Sequence, residues 1–274
     1  MSDRETRETS AADAEGSVTR RTFSNPILAI CRSIALISMT SVELVICTLR
    51  CIGRNEDGLL ELARTAGVTW PRHCLYWMGI RVRVEGNVPE VPVLLCPNHA
   101  GYVDILALGS TCHTFFVSRD DVGSWPLVGR AYKMGRHLSI KRQRRRAVAE
   151  ANEEIAERMN KGYRVCVFLE GTSSGDGGVL PFHASLVQSA IDADVRVVPV
   201  GIRWRSRNDA VIPGEDIAYW KDHSFGPHIF RLLGFSGIEA TIHFGEPIRI
   251  NGRDRKALAS ELRDRVIELS GLTN

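Results

Sequence analysis

Apolar and polar positions along this chain fall into blocks whose spacing marks out separate elements. Ser33 to Leu49 is apolar apart from Glu43 and small hydroxyl residues, which predicts a helix. At 1.5 Å per residue it would reach roughly 26 Å, short of a hydrocarbon core of about 30 Å. Arg32, Glu43 and Arg50 are spaced near whole numbers of turns and line up on one side. That pattern favours a helix in a membrane interface over a plain span, with a buried core helix as the other reading. Helices are expected over Leu59–Ala66 and near Trp70–Met78, the latter with Pro71 in its first turn.

Ile80 to Val84 alternates apolar and basic residues and reads as a half-exposed strand. Val91–Cys96, Thr114–Val117, Val165–Leu169 and Arg196–Ile202 read as strands, and Ala240–Phe244 alternates again. Ile105–Leu108 opens a helix. Ala147–Met159 is amphipathic with Gly162 as its stop, and Arg253–Leu269 carries Leu258, Leu262, Val266 and Leu269 on one face. Strands interleaved with helices define an α/β domain, a mixed sheet covered by helices. The sequence carries no internal repeat and no clear linker between domains.

Composition narrows the picture. The chain has 274 residues, 44% hydrophobic and 24% charged, with a net charge of +3, too small to argue for nucleic acid. Seven dispersed cysteines without a C-x-x-C pair point to a reducing compartment and neither to disulfides nor to zinc. Residues 1–23 are polar and read as a disordered tail, too acidic for a secretory signal. Residues 24–53 form the apolar membrane-associating helix. Together these place the protein at a membrane, on its cytoplasmic face.

The candidate chemistry sits where predicted strands end. Pro97-Asn98-His99-Ala100-Gly101-Tyr102-Val103-Asp104 follows the buried run, and buried polar groups are costly unless paired or used. A neutral histidine accepts a proton near pH 7, and a carboxylate can fix its tautomer. The same pair also suits a helix cap beside a surface ion pair, so spacing alone leaves both readings open. No further His or acid lies at ligand spacing for a metal, and His223 and His228 are isolated. Phe168-Leu169-Glu170-Gly171-Thr172-Ser173-Ser174 also follows a buried strand, and its small residues expose backbone N–H groups. Gly171–Gly175 matches G-x-S-x-G, but Asp176-Gly177-Gly178 cannot promptly start the helix a nucleophile elbow requires. The run Lys141–Arg146 reads as a surface patch, or as a site for anionic lipid or carrier phosphates. No nucleic-acid module accompanies it.

Taken in order, His99-x4-Asp104, Ser139-Ile140-Lys141-Arg142, Phe168–Thr172 and Val197-Val198-Pro199-Val200-Gly201 resemble the lysophospholipid acyltransferase family. The likeness spans Leu75 to Ile248 and includes Ser124–Gly129 between the first two blocks. The resemblance implies a glycerolipid acyltransferase-like fold for residues 54–274. It implies acyl transfer from acyl-CoA or acyl carrier protein to a lyso-lipid hydroxyl, with no covalent intermediate, cofactor or metal. On that pattern His99 is the general base, Asp104 orients it, Arg142, Glu170, Gly171 and Thr172 bind the acceptor, and Pro199 shapes the site.

Three positions depart from the family pattern. Leu169 replaces a proline, Ser173 an arginine, and Ser139 an aromatic or apolar residue. An arginine at 173 would be the natural phosphate partner. Its replacement, with Val179-Leu180-Pro181-Phe182 following, looks more like the branch containing lyso-ornithine lipid acyltransferases. A serine hydrolase using Ser173, or a lipid-binding protein without transfer, stands as the alternative.

Overall fold

The structure is a computed structural model that describes residues 24–119, 128–140, 146–175, 178–207, 211–220 and 223–273. The expected tail 1–23, the residues 141–145 that include Arg142, and Ser124 to Leu127 lie outside the described residues.

Two long helices lead, α1 (Pro26–Cys51) and α2 (Glu56–Met78). β1 (Ile80–Glu85), β2 (Val93–Pro97), α3 (Tyr102–Thr111) and β3 (Phe115–Arg119) follow. Next come α4 (Val128–Met134), β4 (Leu138–Ile140), α5 (Ala147–Asn160) and β5 (Arg164–Cys166). α6 (Gln188–Asp192), β6 (Arg196–Ser206), a π-helical turn (Pro213–Ile217), α7 (Phe225–Leu233), β7 (Ile238–Phe244) and α8 (Arg255–Ser270) complete the chain. Among the described residues the strands form one sheet in the order β1-β7-β6-β2-β5-β3-β4. β6 and β7 pair antiparallel, and every other neighbouring pair is parallel.

Side-chain alternation divides the core into two layers. Val93, Leu95, Cys166, Val198, Val200 and Ile202 pack with α3 and the C-terminal part of α2. Leu94, Cys96, Val165 and Val197 pack on the other face against Ile155 of α5 and Leu258 and Leu262 of α8. Each fully buried aliphatic side chain contributes about 1.5–3 kcal/mol, so the continuous apolar strands β2 and β6 anchor both layers.

The two helices expected around Pro71 are a single α2. Proline removes a helical hydrogen bond, but Pro71 is buried and a Cβ on Gly109 of α3 would lie only 3.3 Å from its ring. Close packing against a glycine thus offsets the break. The strand expected over Val165–Leu169 ends at Cys166. Val167 N–H still reaches the Leu95 carbonyl at 2.9 Å, and the chain then turns away.

The reading of α1 as a buried core helix is overturned, because only Ala29 and Thr40 of the helix are buried. Asn25 caps it by accepting from the N–H groups of Ile27 and Leu28, and Pro26 occupies the first turn. Arg32 donates to the carbonyls of Leu233 and Phe235 at the end of α7, and Glu43 pairs with His73 of α2. Trp70 Nε1 donates to Thr40 Oγ1 at 3.2 Å. Arg32, Thr40 and Glu43 therefore dock on the protein, while Ile27, Ile30, Ile34, Val45 and Leu49 are exposed. The helix is long and apolar enough to cross a membrane.

Candidate active site

The sheet topology brings two loops together. β2 pairs in parallel with β5 on one side and β6 on the other, so the chain leaves β2 and β5 at the same edge. Carboxyl ends of neighbouring parallel strands are where α/β sheets form their binding crevices. Residues 98–104 leave β2 there, and residues 167–175 leave β5 beside them.

His99 Nδ1 lies 3.0 Å from Asp104 Oδ2. A carboxylate only accepts, so Nδ1 carries the proton and Nε2 is the ring nitrogen left for the cavity. Asp104 is fully buried in the first turn of α3. Its Oδ2 also accepts from Ala100 N–H at 2.6 Å and Gly101 N–H at 2.8 Å. Oδ1 accepts from Trp204 Nε1 at 2.7 Å. Two backbone donors and one indole donor thus fix the orientation of the carboxylate. Phe168 stacks on the imidazole with ring centroids 3.9 Å apart.

Glu170 supports the same loop from behind. Its Oε1 accepts from His99 N–H at 2.7 Å and its Oε2 from Leu180 N–H at 3.0 Å. Burial pushes its carboxyl up to about 7, against the pull of those two donors. Backbone donors thus engage both oxygens, and Glu170 itself is not among the residues that line the cavity described below. Gly171 takes φ +68°, a left-handed conformation that glycine adopts without strain, and closes the turn by donating to the Phe168 carbonyl at 3.1 Å. Gly171, Thr172 and Ser173 line the cavity with His99.

That cavity measures about 1310 Å³ and runs from His99 beneath α1 to α4. Leu36, Leu44, Phe116, Ile140 and Leu186 give it a mostly apolar wall. Its other wall is the segment after the π-helical turn. Tyr219 N–H donates to the Ala100 carbonyl at 2.9 Å, and the Ser173 hydroxyl donates to the Tyr219 carbonyl. The Trp220 ring lies so close to Gly175 that a Cβ there would come within 1.8 Å of it. Tyr102 donates to His228 Nδ1 at 3.0 Å, because His228 Nε2 is committed to the Ala218 carbonyl at 3.1 Å.

Ser173 is thus hydrogen-bonded to a carbonyl, and residues 174 and 175 after it are not helical, so the nucleophile-elbow geometry is absent. Pro199 does not line the cavity. It lies buried in β6 opposite Cys96 of β2 and accepts from Gly245 N–H at 2.9 Å. Among the described residues no three His, Cys, Asp or Glu side chains gather as a metal site. Sequence reasoning missed Asn98, Trp204 and Tyr219. Asn98 alone carried a local signal, as a polar residue at the end of an apolar strand.

The Acyltransferase family profile matches residues 79–203. The chain is 32% identical over 202 residues to the lyso-ornithine lipid O-acyltransferase of Brucella abortus, covering 69% of this chain and 75% of that protein. It is 32% identical over 188 residues to the Pseudomonas aeruginosa protein of the same name, covering 68% and 70%. The 1-acyl-sn-glycerol-3-phosphate acyltransferase of Neisseria meningitidis is 32% identical over 151 residues, covering 54% and 59%. The crystal structure of the 1-acyl-sn-glycerophosphate (LPA) acyltransferase from Thermotoga maritima shares the fold. Its TM-score is 0.66 at 18% identity, over 89% of this chain and 95% of that one.

Proposed function

The chain belongs to the lysophospholipid acyltransferase family and transfers acyl groups to lyso-lipid acceptors, and on that premise we propose that His99 is the general base and Asp104 the group that orients it. The observation that carries this reading is the 3.0 Å contact from His99 Nδ1 to Asp104 Oδ2 beside an open cavity. Nε2 takes the proton of the acceptor hydroxyl as its oxygen attacks the carbonyl carbon of an acyl thioester. The tetrahedral adduct collapses, the C–S bond breaks, and the imidazolium returns the proton to the leaving thiolate. The products are an ester and a free thiol, and Asp104 orients the imidazole throughout.

The donor in this reading is acyl-CoA or acyl carrier protein, and the apolar cavity beneath α1 takes an acyl chain. Gly171 and Thr172 contact the acceptor, Arg142 supplies a cation, and Glu170 acts by holding the His99 backbone. The exposed apolar face of α1 lies in the membrane interface on the cytoplasmic side.

The acceptor is a lyso-lipid without a phosphomonoester, of the lyso-ornithine lipid kind. Support comes from Ser173, which stands where a phosphate-binding arginine is usual and whose hydroxyl is held by Tyr219. A phosphomonoester carries close to two negative charges, and desolvating it without a paired cation is costly. Purified protein, labelled acyl-CoA and acyl carrier protein donors and a panel of lyso-lipids test this. Transfer to lyso-ornithine lipid at least as efficient as to lysophosphatidic acid is expected, with Ser173→Arg shifting preference toward the phosphate. A wild-type enzyme tenfold selective for lysophosphatidic acid overturns the acceptor assignment, and absence of transfer overturns the activity.

A further inference from the structure

The indole of Trp204 and the carboxylate of Asp104 lie a hundred residues apart in sequence and meet in the core. Trp204 is buried near the end of β6, and Asp104 is fully buried at the start of α3. Nε1–H meets Oδ1 at 2.7 Å, at the short end of the range for such a bond. The two oxygens of this carboxylate have different neighbours. Oδ2 collects His99, Ala100 N–H and Gly101 N–H, all from its own loop. Among the described residues, Trp204 is the one donor to Oδ1.

We propose that Trp204 is a positioning residue for acyl transfer: its indole N–H pins Oδ1 to β6 and so fixes the plane in which Oδ2 holds the His99 imidazole. The proposal rests on the reading of His99 and Asp104 as the catalytic pair. Two observations beyond the distance support it. β6 also holds the other end of the loop, through paired hydrogen bonds between the Asn98 side chain and the backbone of Ile202. The loop is therefore clamped to one strand at 202 and 204, at both ends of the His-x4-Asp stretch. Further, a buried carboxylate oxygen stripped of its donor carries a desolvation cost, which it relieves by taking a proton or by rotating. Either response loosens Asp104 from Nδ1.

Removing the donor has a defined consequence for the pH profile. A carboxylate that has lost a donor protonates more readily, and once neutral it stops orienting the imidazole. That moves the acid limb of kcat/KM toward higher pH. The titratable groups facing this carboxylate are His99 on its own loop, Glu170 from the loop after β5 and Cys166 of β5. Burial holds the Cys166 thiol protonated.

The experiment is a cycle of Trp204→Phe, Asp104→Asn and the double variant in the full-length chain. A second replacement, β-(3-benzothienyl)alanine at 204 introduced by amber suppression, keeps the ring shape and removes only the N–H. Trp204→Phe and the benzothienyl protein are expected to lose about 10- to 100-fold in kcat, with both KM values within twofold. Their acid limb shifts upward, and in the Asp104→Asn background neither replacement costs anything further. If Trp204→Phe fails to fold, the benzothienyl protein decides alone. Retention of kcat within twofold, or a loss of equal size in the Asp104→Asn background, overturns the proposal. Full activity of Asp104→Asn itself would instead overturn the catalytic reading on which the proposal stands.

Discussion

Asn98 and Ile202 exchange two hydrogen bonds: Ile202 N–H donates to Asn98 Oδ1 at 2.7 Å, and Asn98 Nδ2–H donates to the Ile202 carbonyl at 3.0 Å. The amide side chain mimics one more residue of strand pairing just where β2 ends, which carries the sheet into the His99 loop. Asn98→Ala strands a buried N–H and a buried carbonyl, at about 1–3 kcal/mol each. A drop of that order in chemical denaturation, with activity falling alongside, is expected. Asn98→Asp should be worse than Ala per bond retained, since a carboxylate oxygen would face the Ile202 carbonyl. Stability within 0.5 kcal/mol (roughly the scatter of a neutral surface change) would refute the pairing.

His99→Ala removes the proposed base from a side chain that faces the cavity. Turnover should fall by about 10²- to 10⁴-fold with the melting temperature little changed. Asp104→Asn should lower kcat more than it raises the acceptor KM, because an amide cannot accept from Nδ1–H and both backbone donors in the same way. Single-turnover acyl transfer with labelled donor measures both, and more than half of the wild-type rate in folded His99→Ala would remove His99 from the mechanism.

Glu170→Gln tests the bracing role. A glutamine offers one carbonyl oxygen where the carboxylate offers two, so either His99 N–H or Leu180 N–H loses its partner, at about 1–3 kcal/mol. The pH dependence has a definite sign. Burial raises this carboxyl from 4.5 to about 7, so the native state binds its proton more tightly than the unfolded chain does. The associated stabilisation is complete below pH 4.5 and is lost as pH rises through about 7. Denaturation at about pH 5 and about pH 8 should show a larger loss on going alkaline in the wild type than in Glu170→Gln. A smaller loss in the wild type would reverse the assignment.

Gly175→Ala should dislodge Trp220, whose ring occupies the space a Cβ needs. Because Trp220 lines the cavity, the acceptor KM is expected to rise severalfold. Gly175→Ala combined with Trp220→Ala should relieve the overlap and recover stability. Strict additivity of the two changes in thermal melts would show that the ring does not sit there in solution.

Replacing Ile34 and Val45 of α1 by asparagine removes two exposed apolar side chains while leaving Arg32, Thr40 and Glu43 docked. Each side chain buried in lipid is worth about 1.5–3 kcal/mol, so vesicle binding in a sedimentation assay should weaken at least tenfold. Unchanged partitioning would place another surface at the membrane.

What could be read from the residues follows a physical divide. β2 and β6 were visible because strands covered on both faces are continuously apolar, and His99 and Asp104 because a strand end and a helix start lie five residues apart. Trp204 and Tyr219 were not visible, since their partners are set by strand register and by a loop crossing over from far along the chain. α2 looked like two helices because Pro71 breaks the local rule, and the packing that outweighs it comes from Gly109. The short α4, α6 and β4 offer too few residues for a periodic signal. Glu170 stood out by its position after a strand, but its backbone donors from His99 and Leu180 come from turns that no local pattern shows.

β6 has one further consequence. Val200, Ile202 and Trp204 point to one face of the sheet, while Arg203 and Arg205 point to the other. A single-residue deletion between Pro199 and Trp204 reverses that parity downstream. Arg205 would then stand where Trp204 stands, bringing a permanent cation against Asp104 in place of a neutral donor. The carboxylate would pair with the guanidinium, and the imidazole would be left to turn. Length changes should therefore be tolerated in the loop beyond Ser206 but not within this strand, where counting residues amounts to choosing the charge beside Asp104.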